Sequence, residues 1–366
     1  MNFKFKVAYN TIVQLAGRLF TGLTTYAVTL ILVRQYGPLG FGDFVKILTF
    51  VSYFYIMGDF GLNAIVVKKI SVNEKNSLLY LSNLLGLRLV LSLFLIFVSL
   101  AVLSFLPQGH NQGFTPMVRL GIIIGSLTIL TQSMLTTANA WFQKTLRYDK
   151  SVLAAGLGYV LTLLLAFFFA RSQAPVALLA IPYVLGGVFS VALSFWLLDL
   201  KIFPAFNLKV WQMIVFPSLP LGLTLILNLV YFKADSFILT LTRSTQEVGI
   251  YGLAYKFFEL SLVFPAFFMN SLYPVFLHKQ QNQKDEFLPI LKNSGLILVS
   301  ISVLITLALL FLAPYLIRFT SGNNFLDFAG AILALRILAL GLPCFFISSF
   351  LMWLLVTNDK QKLLVP

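Results

Sequence analysis

Ten separate stretches of this chain are each long and apolar enough to cross a lipid bilayer, and that recurrence constrains everything else. They run over 8–33, 41–66, 77–106, 118–142, 151–170, 176–198, 214–242, 248–276, 288–313 and 327–357. About 20 apolar residues cover the ~30 Å hydrocarbon core, so the longer stretches tilt or reach into the headgroup layer. Inside a bilayer the backbone must satisfy its own polar groups, and unbroken apolar runs of this length do so as helices. A soluble fold is excluded: 59% of the residues are hydrophobic and 10% charged, against roughly 45–50% and about 25% in soluble domains. The expected fold class is therefore an all-α polytopic membrane protein of about ten transmembrane helices. Its connectors are too short for an extramembrane catalytic domain, so the chain is not expected to be an enzyme.

The net charge of +14 would suggest nucleic acid in a soluble protein. Here it follows topology. Lys and Arg near span ends are retained in the cytoplasm during insertion. Alternate connectors hold Lys4, Lys6, Lys68, Lys69, Lys75, Lys144, Arg147, Lys150, Lys201, Lys209, Lys279, Lys284, Lys292, Lys360 and Lys362 on one side. The other side holds Arg34, Arg119, Arg171, Arg243 and Arg318. That asymmetry places the N-terminus in the cytoplasm, and no nucleic-acid partner is expected. No small-residue cleavage site follows the first apolar run, which is expected to be retained. The single cysteine, Cys344, forms no intramolecular disulfide.

Six cations, Arg18, Lys46, Arg88, Lys233, Lys256 and Arg336, fall inside spans with Asp43, Asp59, Asp235 and Glu259. At ~2.5–3.5 kcal/mol for a charge at mid-span, the deeper ones should face protein or a watery cavity. Polar residues at steps of three and four draw stripes along three helices: Thr11, Gln14, Arg18, Thr21, Thr25 and Thr29; Gln132, Thr136, Asn139 and Gln143; and Thr224, Asn228, Tyr231 and Asp235. Arg18, Arg88 and Arg336 share a mid-membrane level, and guanidinium forks match phosphate oxygens. They, with Lys256, Gln14 and Asn139, are the candidate residues for an anionic substrate; locking helices by pairing with Asp59, Asp235 or Glu259 is the competing reading. Lys256 and Glu259, at i and i+3, can pair locally. Asp235, and after it Glu259, are the candidate ion-coupling sites. Asp43 and Lys46, near a span end, are expected to snorkel. Asp59 is expected to cap or hinge its helix, and Pro182, Pro265 and Pro343 to permit kinks.

No phosphate-binding GxxxxGK[ST] loop occurs, and His110 and His278 fall in connectors on opposite sides, so neither nucleotide, metal nor other cofactor is expected. Coupling would rest on a proton or Na⁺. An internal echo is also present: a span ending at Arg34 re-enters at Phe41-Gly42-Asp43-Phe44, and one ending at Arg243 re-enters at Val248-Gly249-Ile250-Tyr251. The offset of 207 residues suits two parallel lobes related by an axis along the membrane normal. The expected division is a six-helix lobe over 1–198, an interfacial linker over 199–213 and a second lobe over 214–366.

The segments Tyr9-Asn10, Gly17-Arg18, Arg34-Gln35-Tyr36-Gly37-Pro38-Leu39-Gly40-Phe41-Gly42-Asp43-Phe44 and Gly58-Asp59-Phe60-Gly61-Leu62 resemble the polysaccharide-transporter branch of the MOP exporter superfamily. Lys233 to Leu239 and Val248 to Lys256 look like the opening of that family's second lobe. The resemblance covers essentially the whole chain, through packing and turn motifs. It implies a Wzx-type flippase in which two lobes rock around a cationic cavity and carry a polyprenyl-pyrophosphate-linked oligosaccharide to the outer leaflet of the cell membrane. The product would feed O-antigen of lipopolysaccharide, capsule or exopolysaccharide. The partners implied are that lipid-linked oligosaccharide, membrane lipids, and the polysaccharide polymerase and chain-length machinery. Of the candidate sites, only Arg18 occupies a motif arginine. Such flippases have 12 or 14 spans; with ten here, four of them in the second lobe, the second lobe is expected to be incomplete and the sequence a fragment, Leu363 to Pro366 reading as the opening of an eleventh span. The alternative is an ion-coupled small-molecule or multidrug antiporter of the same superfamily, which would want an acid-rich cavity. A membrane glycosyltransferase or polymerase would need an acid-bearing outer loop, and 107–117 has none.

Overall fold

The structure is a computed structural model that describes residues 3–72, 74–109, 111–265, 267–269, 272, 276, 279 and 284–357. Its elements are helices: α1 (Phe3–Asp59), α2 (Leu62–Val72), α3 (Ser77–Phe105), α4 (Pro116–Gly125), α5 (Leu127–Lys144), α6 (Tyr148–Arg171), α7 (Ala180–Trp196), α8 (Leu208–Thr242), α9 (Thr245–Ser261), α10 (Lys284–Ser321), α11 (Gly330–Leu340) and α12 (Leu342–Thr357). Among the described residues these make nine helical stretches long and apolar enough to cross a membrane. By internal packing the chain divides into Met1–Gly249 and Ile250–Pro366.

The count of nine conceals a reversal. At 57 residues α1 would measure about 85 Å if straight, far more than one crossing needs. At Gly37 the backbone turns to φ 62°, ψ −170°, a conformation open to glycine because it has no Cβ, and Pro38 removes a donor from the following turn. Before the turn Gly17 lies against Val152 near the start of α6, and Tyr36 Oη donates to Ala174 O (2.8 Å) beyond its end. After the turn Ile47 lies against Gly121 in α4, and Gly58 against Ser133 in α5. The chain thus ascends beside α6 and descends along α4 and α5, and nine helical stretches make the ten crossings expected.

Each end of the first unit has its own core. Leu62, Val66 and Ile70 of α2 pack with Leu81, Leu84 and Leu85 of α3, Ala140 of α5 and Val210 and Ile214 of α8. Toward the opposite, lysine-poor end, Ile47, Phe50, Val51 and Phe54 meet Leu95, Leu103, Phe114, Val118 and Ile122. Residues 199–207 run without helix but not without partners: Ala205 N donates to Ser82 O (2.9 Å) and Asn207 N to Asn83 Oδ1 (2.9 Å). Asn207 then caps α8, its Oδ1 accepting from Lys209 N (3.0 Å), which satisfies one orphan donor of the first turn. In the second unit α10 packs on α11 and α12 around Ala313, Ile317, Leu335 and Ala339, all buried, and Thr306 Oγ1 donates to Ala339 O (3.1 Å).

The three expected kink prolines all follow a break. Pro182 comes after a 3-10 turn, Val176–Leu179, Pro343 after the C-cap at Gly341, and Pro265 after a turn at Leu262. A first turn tolerates proline because its N–H has no intrahelical acceptor there. Among the described residues, the prolines within continuous helix are Pro217 and Pro220 of α8 and Pro289 and Pro314 of α10.

Candidate functional site

The stripe on the first limb of α1 changes character along its length. Thr24, Thr25 and Thr29 donate to the carbonyls of Phe20, Thr21 and Thr25 (2.8, 2.9 and 3.1 Å), so these hydroxyls are satisfied within their own helix. Thr29 is buried, Gln14 is half-buried, and Arg18 is exposed. Arg18 makes no hydrogen bond or ion pair among the described residues, which leaves all five donors of its fork available. On α8, Thr224, Asn228 and Tyr231 are exposed and Asp235 half-buried. Thr224 Oγ1 donates to Pro220 O (2.9 Å), and Asp235 Oδ1 accepts from Ser236 N (2.6 Å).

Arg88 sits elsewhere. Its side chain is wholly buried, its guanidinium is paired with Asp59, and Nη1 donates to Thr137 Oγ1 (3.2 Å). Helices α1, α3 and α5 are joined through one side chain, and Asp59, the last residue of α1, keeps 34% of its side chain accessible. In this arrangement Arg88 is placed as a helix lock, as the competing reading had it, with its guanidinium closed to solvent. Asp59 does stand at a hinge, since Phe60 (φ 42°) and Gly61 (φ 71°) break the chain behind it, and it is also the counter-ion.

The α5 stripe is engaged in packing. Asn139 Oδ1 accepts from Ser151 Oγ on α6 (2.7 Å), Gln143 Oε1 accepts from Asn63 Nδ2 on α2 (3.2 Å), and Thr136 Oγ1 donates to Gln132 O (3.0 Å). In the second unit Lys256 and Glu259 form the expected i, i+3 pair (3.1 Å), both about one-third exposed. Arg336 is exposed, with Nε donating to Leu310 O (3.1 Å) across α10 and α11. An apolar cavity of about 390 Å³ between Phe264, Phe267, Phe268, Leu272, Leu298 and Ile301 contains none of the candidates. His110 and His278 lie outside the described residues.

The expectation that Asp43 and Lys46 snorkel is overturned. Lys46 is inaccessible and Asp43 is 8% exposed. Lys46 Nζ donates to Gly113 O (2.9 Å) and Thr245 Oγ1 (2.7 Å). Helix α9 starts too close to α1 for an ammonium to reach water. A Cβ on Gly42 would strike Thr245 O and come within 3.0 Å of Gly249 N; a Cβ on Gly249 would strike Pro38 O and come within 2.9 Å of Gly42 N. The two contacts are reciprocal, since Pro38 to Thr245 and Gly42 to Gly249 are both steps of 207 residues. The faint repeat in the sequence is a two-fold-like crossing in space.

Three solved structures share this architecture. An inward-facing multidrug resistance MATE family transporter of the MOP superfamily aligns over 96% of this chain and 85% of its own, with TM-score 0.73 and 14% identity. The lipid II flippase MurJ, inward closed, aligns over 97% and 77%, with TM-score 0.75 and 15% identity. A MOP superfamily transporter from Pyrococcus furiosus, described as having a binding pocket of reverse polarity, aligns over 98% and 83%, with TM-score 0.65 and 15% identity. These neighbours are transporters, and they make the fold a MOP-superfamily transporter fold. No curated protein sequence matches the chain. Residues 7–280 match the sequence profile of the family described as polysaccharide biosynthesis protein, and with three-quarters of its length inside that match, the chain belongs to this family.

Proposed function

We propose that the protein flips a polyprenyl-pyrophosphate-linked oligosaccharide across the cytoplasmic membrane by alternating access, supplying O-antigen, capsule or exopolysaccharide synthesis. In this reading the N-terminus and the lysine-rich connectors are cytoplasmic, as the positive-inside asymmetry requires, and the lysine-poor end faces out. The rocking lobes are 1–198 and 214–366, with 199–213 between them. A polymerase and chain-length machinery on the outer face would take the product.

The observation that carries the reading is Arg18. A guanidinium halfway along a membrane-spanning helix, exposed and without a partner among the described residues, is costly against lipid; an anionic group in a watery cavity compensates it, and a pyrophosphate accepts its fork in bidentate fashion. The family match favours a lipid-linked saccharide as the bearer of that anion. The charge pattern disfavours the alternative of a cation or drug antiporter, because Asp59 and Glu259 are already paired with Arg88 and Lys256.

The experiment is a flipping assay on the whole chain at matched membrane abundance. Arg18→Ala should abolish flipping, and Arg18→Lys, which keeps the charge and loses the fork, should retain part of it. Normal transport by Arg18→Ala overturns the assignment. Efflux of organic cations with no movement of lipid-linked saccharide would favour the antiporter.

A further inference from the structure

Asp43 is a buried acid that neither the substrate site nor the helix locks employ. Lys46, one turn along the same helix, ties three segments together. Its ammonium holds Gly113 O and Thr245 Oγ1, Thr245 N donates to Asn111 O (2.7 Å), and Gly113 N donates to Thr240 O (3.1 Å). The 106–115 connector is thereby clasped to α1 and to the α8–α9 turn. Lys46 commits protons to those two oxygens, and Asp43 Oδ1 is left buried with no hydrogen-bond partner among the described residues.

We propose that Asp43 is the proton-binding site of this junction, taking a proton from the lysine-poor side as the junction closes and returning it as the junction opens. An O–H bond forms on the carboxylate with a proton from water, and the same bond breaks on opening; nothing else is exchanged. The reason is solvation. In the closed junction Oδ1 is shut off from solvent and has no donor among the described residues, the costly state for an ionised acceptor. Once α9 draws away from Lys46, water reaches the carboxylate and satisfies it. Lys46 offsets part of that cost through space, but no hydrogen bond joins it to the unpartnered oxygen.

The other charged groups nearby are engaged elsewhere. Arg119, beyond the connector, donates to Phe114 O and Leu106 O. Glu247 in the first turn of α9 accepts from Ser244 and pairs with Arg243, and His110 lies outside the described residues. Because the closed junction holds the proton more tightly than the open one, linkage makes closure stronger in acid and weaker in alkali. The inference rests on the proposed function only in taking the junction to open and close.

Gln112 and Ser244 form an isolated antiparallel bridge across the junction, where paired Cα atoms are about 4.5–5.5 Å apart, inside the range a disulfide accepts. Gln112→Cys with Ser244→Cys, in the whole chain carrying Cys344→Ser, therefore reports closure as the extent of crosslinking after a fixed oxidant pulse in substrate-free liposomes. Thiol reactivity itself varies with pH, so the reading is the ratio of the Asp43 chain to its Asp43→Asn variant at each pH. That ratio should rise at least threefold from pH 8 to pH 5, because the neutral amide stays closed throughout. A flat ratio overturns the proposal, as does weaker crosslinking of Asp43→Asn in acid, which would make Asp43 an ionised counter-ion. Asp43→Leu, neutral and without an amide, supplies a second arm that does not need the amide variant to fold: the ratio of the parent to it should rise from pH 8 to pH 5 in the same way, and a flat ratio overturns the proposal. No substrate is present, so these outcomes are independent of the Arg18 result.

Discussion

Neutralising Asp59 should cost the first unit more stability than any other single charge removal within it. Arg88 is wholly buried and its guanidinium depends on Asp59 and Thr137, while Nε already lacks a partner. Breaking a buried pair by removing one member costs about 3–5 kcal/mol, because the other charge stays behind. Asp59 keeps a third of its side chain accessible, so water lessens the loss and the lower end, about 3 kcal/mol, is the expectation for Asp59→Asn. With an unfolding entropy of about 2.1 cal/mol/K per residue, a unit of this size loses roughly 6 °C in Tm. Arg88→Met in the same background removes the stranded cation, and the double variant should recover most of the loss, with a coupling of about 2–3 kcal/mol in the double-mutant cycle. The assay is thermal unfolding of the purified chain in detergent, followed by its tryptophan fluorescence. Additive losses, or an Asp59→Asn variant within 1 °C or so of the parent, would refute the lock.

The crossing of α1 and α9 should reject even a methyl group. Gly42→Ala meets backbone oxygen and should destabilise by about 1–3 kcal/mol, read as a loss of monodisperse protein on heating, whereas Gly58→Ala meets the hydroxyl of Ser133, which can rotate away, and should be close to neutral. Cysteine labelling at positions 110 and 278 in a Cys344→Ser background should reach the first from outside and the second from inside; labelling of both from one side contradicts the ten crossings. Asp235→Asn should lose dependence of transport on a pH or Na⁺ gradient while keeping downhill exchange, and a variant that stays fully gradient-dependent excludes Asp235 as the coupling residue.

Span number and the reversal at Gly37 were legible because both follow from local rules: hydropathy over about 20 residues, and a glycine before a proline between two apolar runs. The repeat was legible too, as a 207-residue offset, but not its meaning, since nothing in a linear sequence says that Gly42 and Gly249 touch. The polar stripes were only half readable. A three-four spacing marks one face of a helix, yet Thr25 and Thr29, which bond their own helix, show the same spacing as Arg18, which has no bond among the described residues. Asn139 illustrates the limit, because its partner Ser151 lies on the next helix and no periodicity points to it. Lys46 was misread for a related reason: distance from the end of a span gives depth, and depth predicts snorkelling only where the neighbouring surface is open to water.

The charges within the spans of the first unit therefore divide by partner and not by depth. Arg88 lies as deep along its helix as Arg18, but it faces Asp59 across a packed interface and is wholly buried. Lys46 is shallower and equally inaccessible, because backbone carbonyl and hydroxyl oxygens were brought to it by the α1–α9 crossing. Burial of a cation in this unit follows wherever oxygen acceptors converge, and each such convergence fixes two or three segments in place. Arg18 lacks that convergence: Thr24, Thr25 and Thr29 donate to their own helix, and among the described residues no oxygen pairs with its fork. On the proposed reading, Lys46 and Arg88 brace the bundle while Arg18, with no partner among the described residues, keeps its pairing energy available to an anionic ligand, since that energy reaches a ligand only where the protein has not already used it.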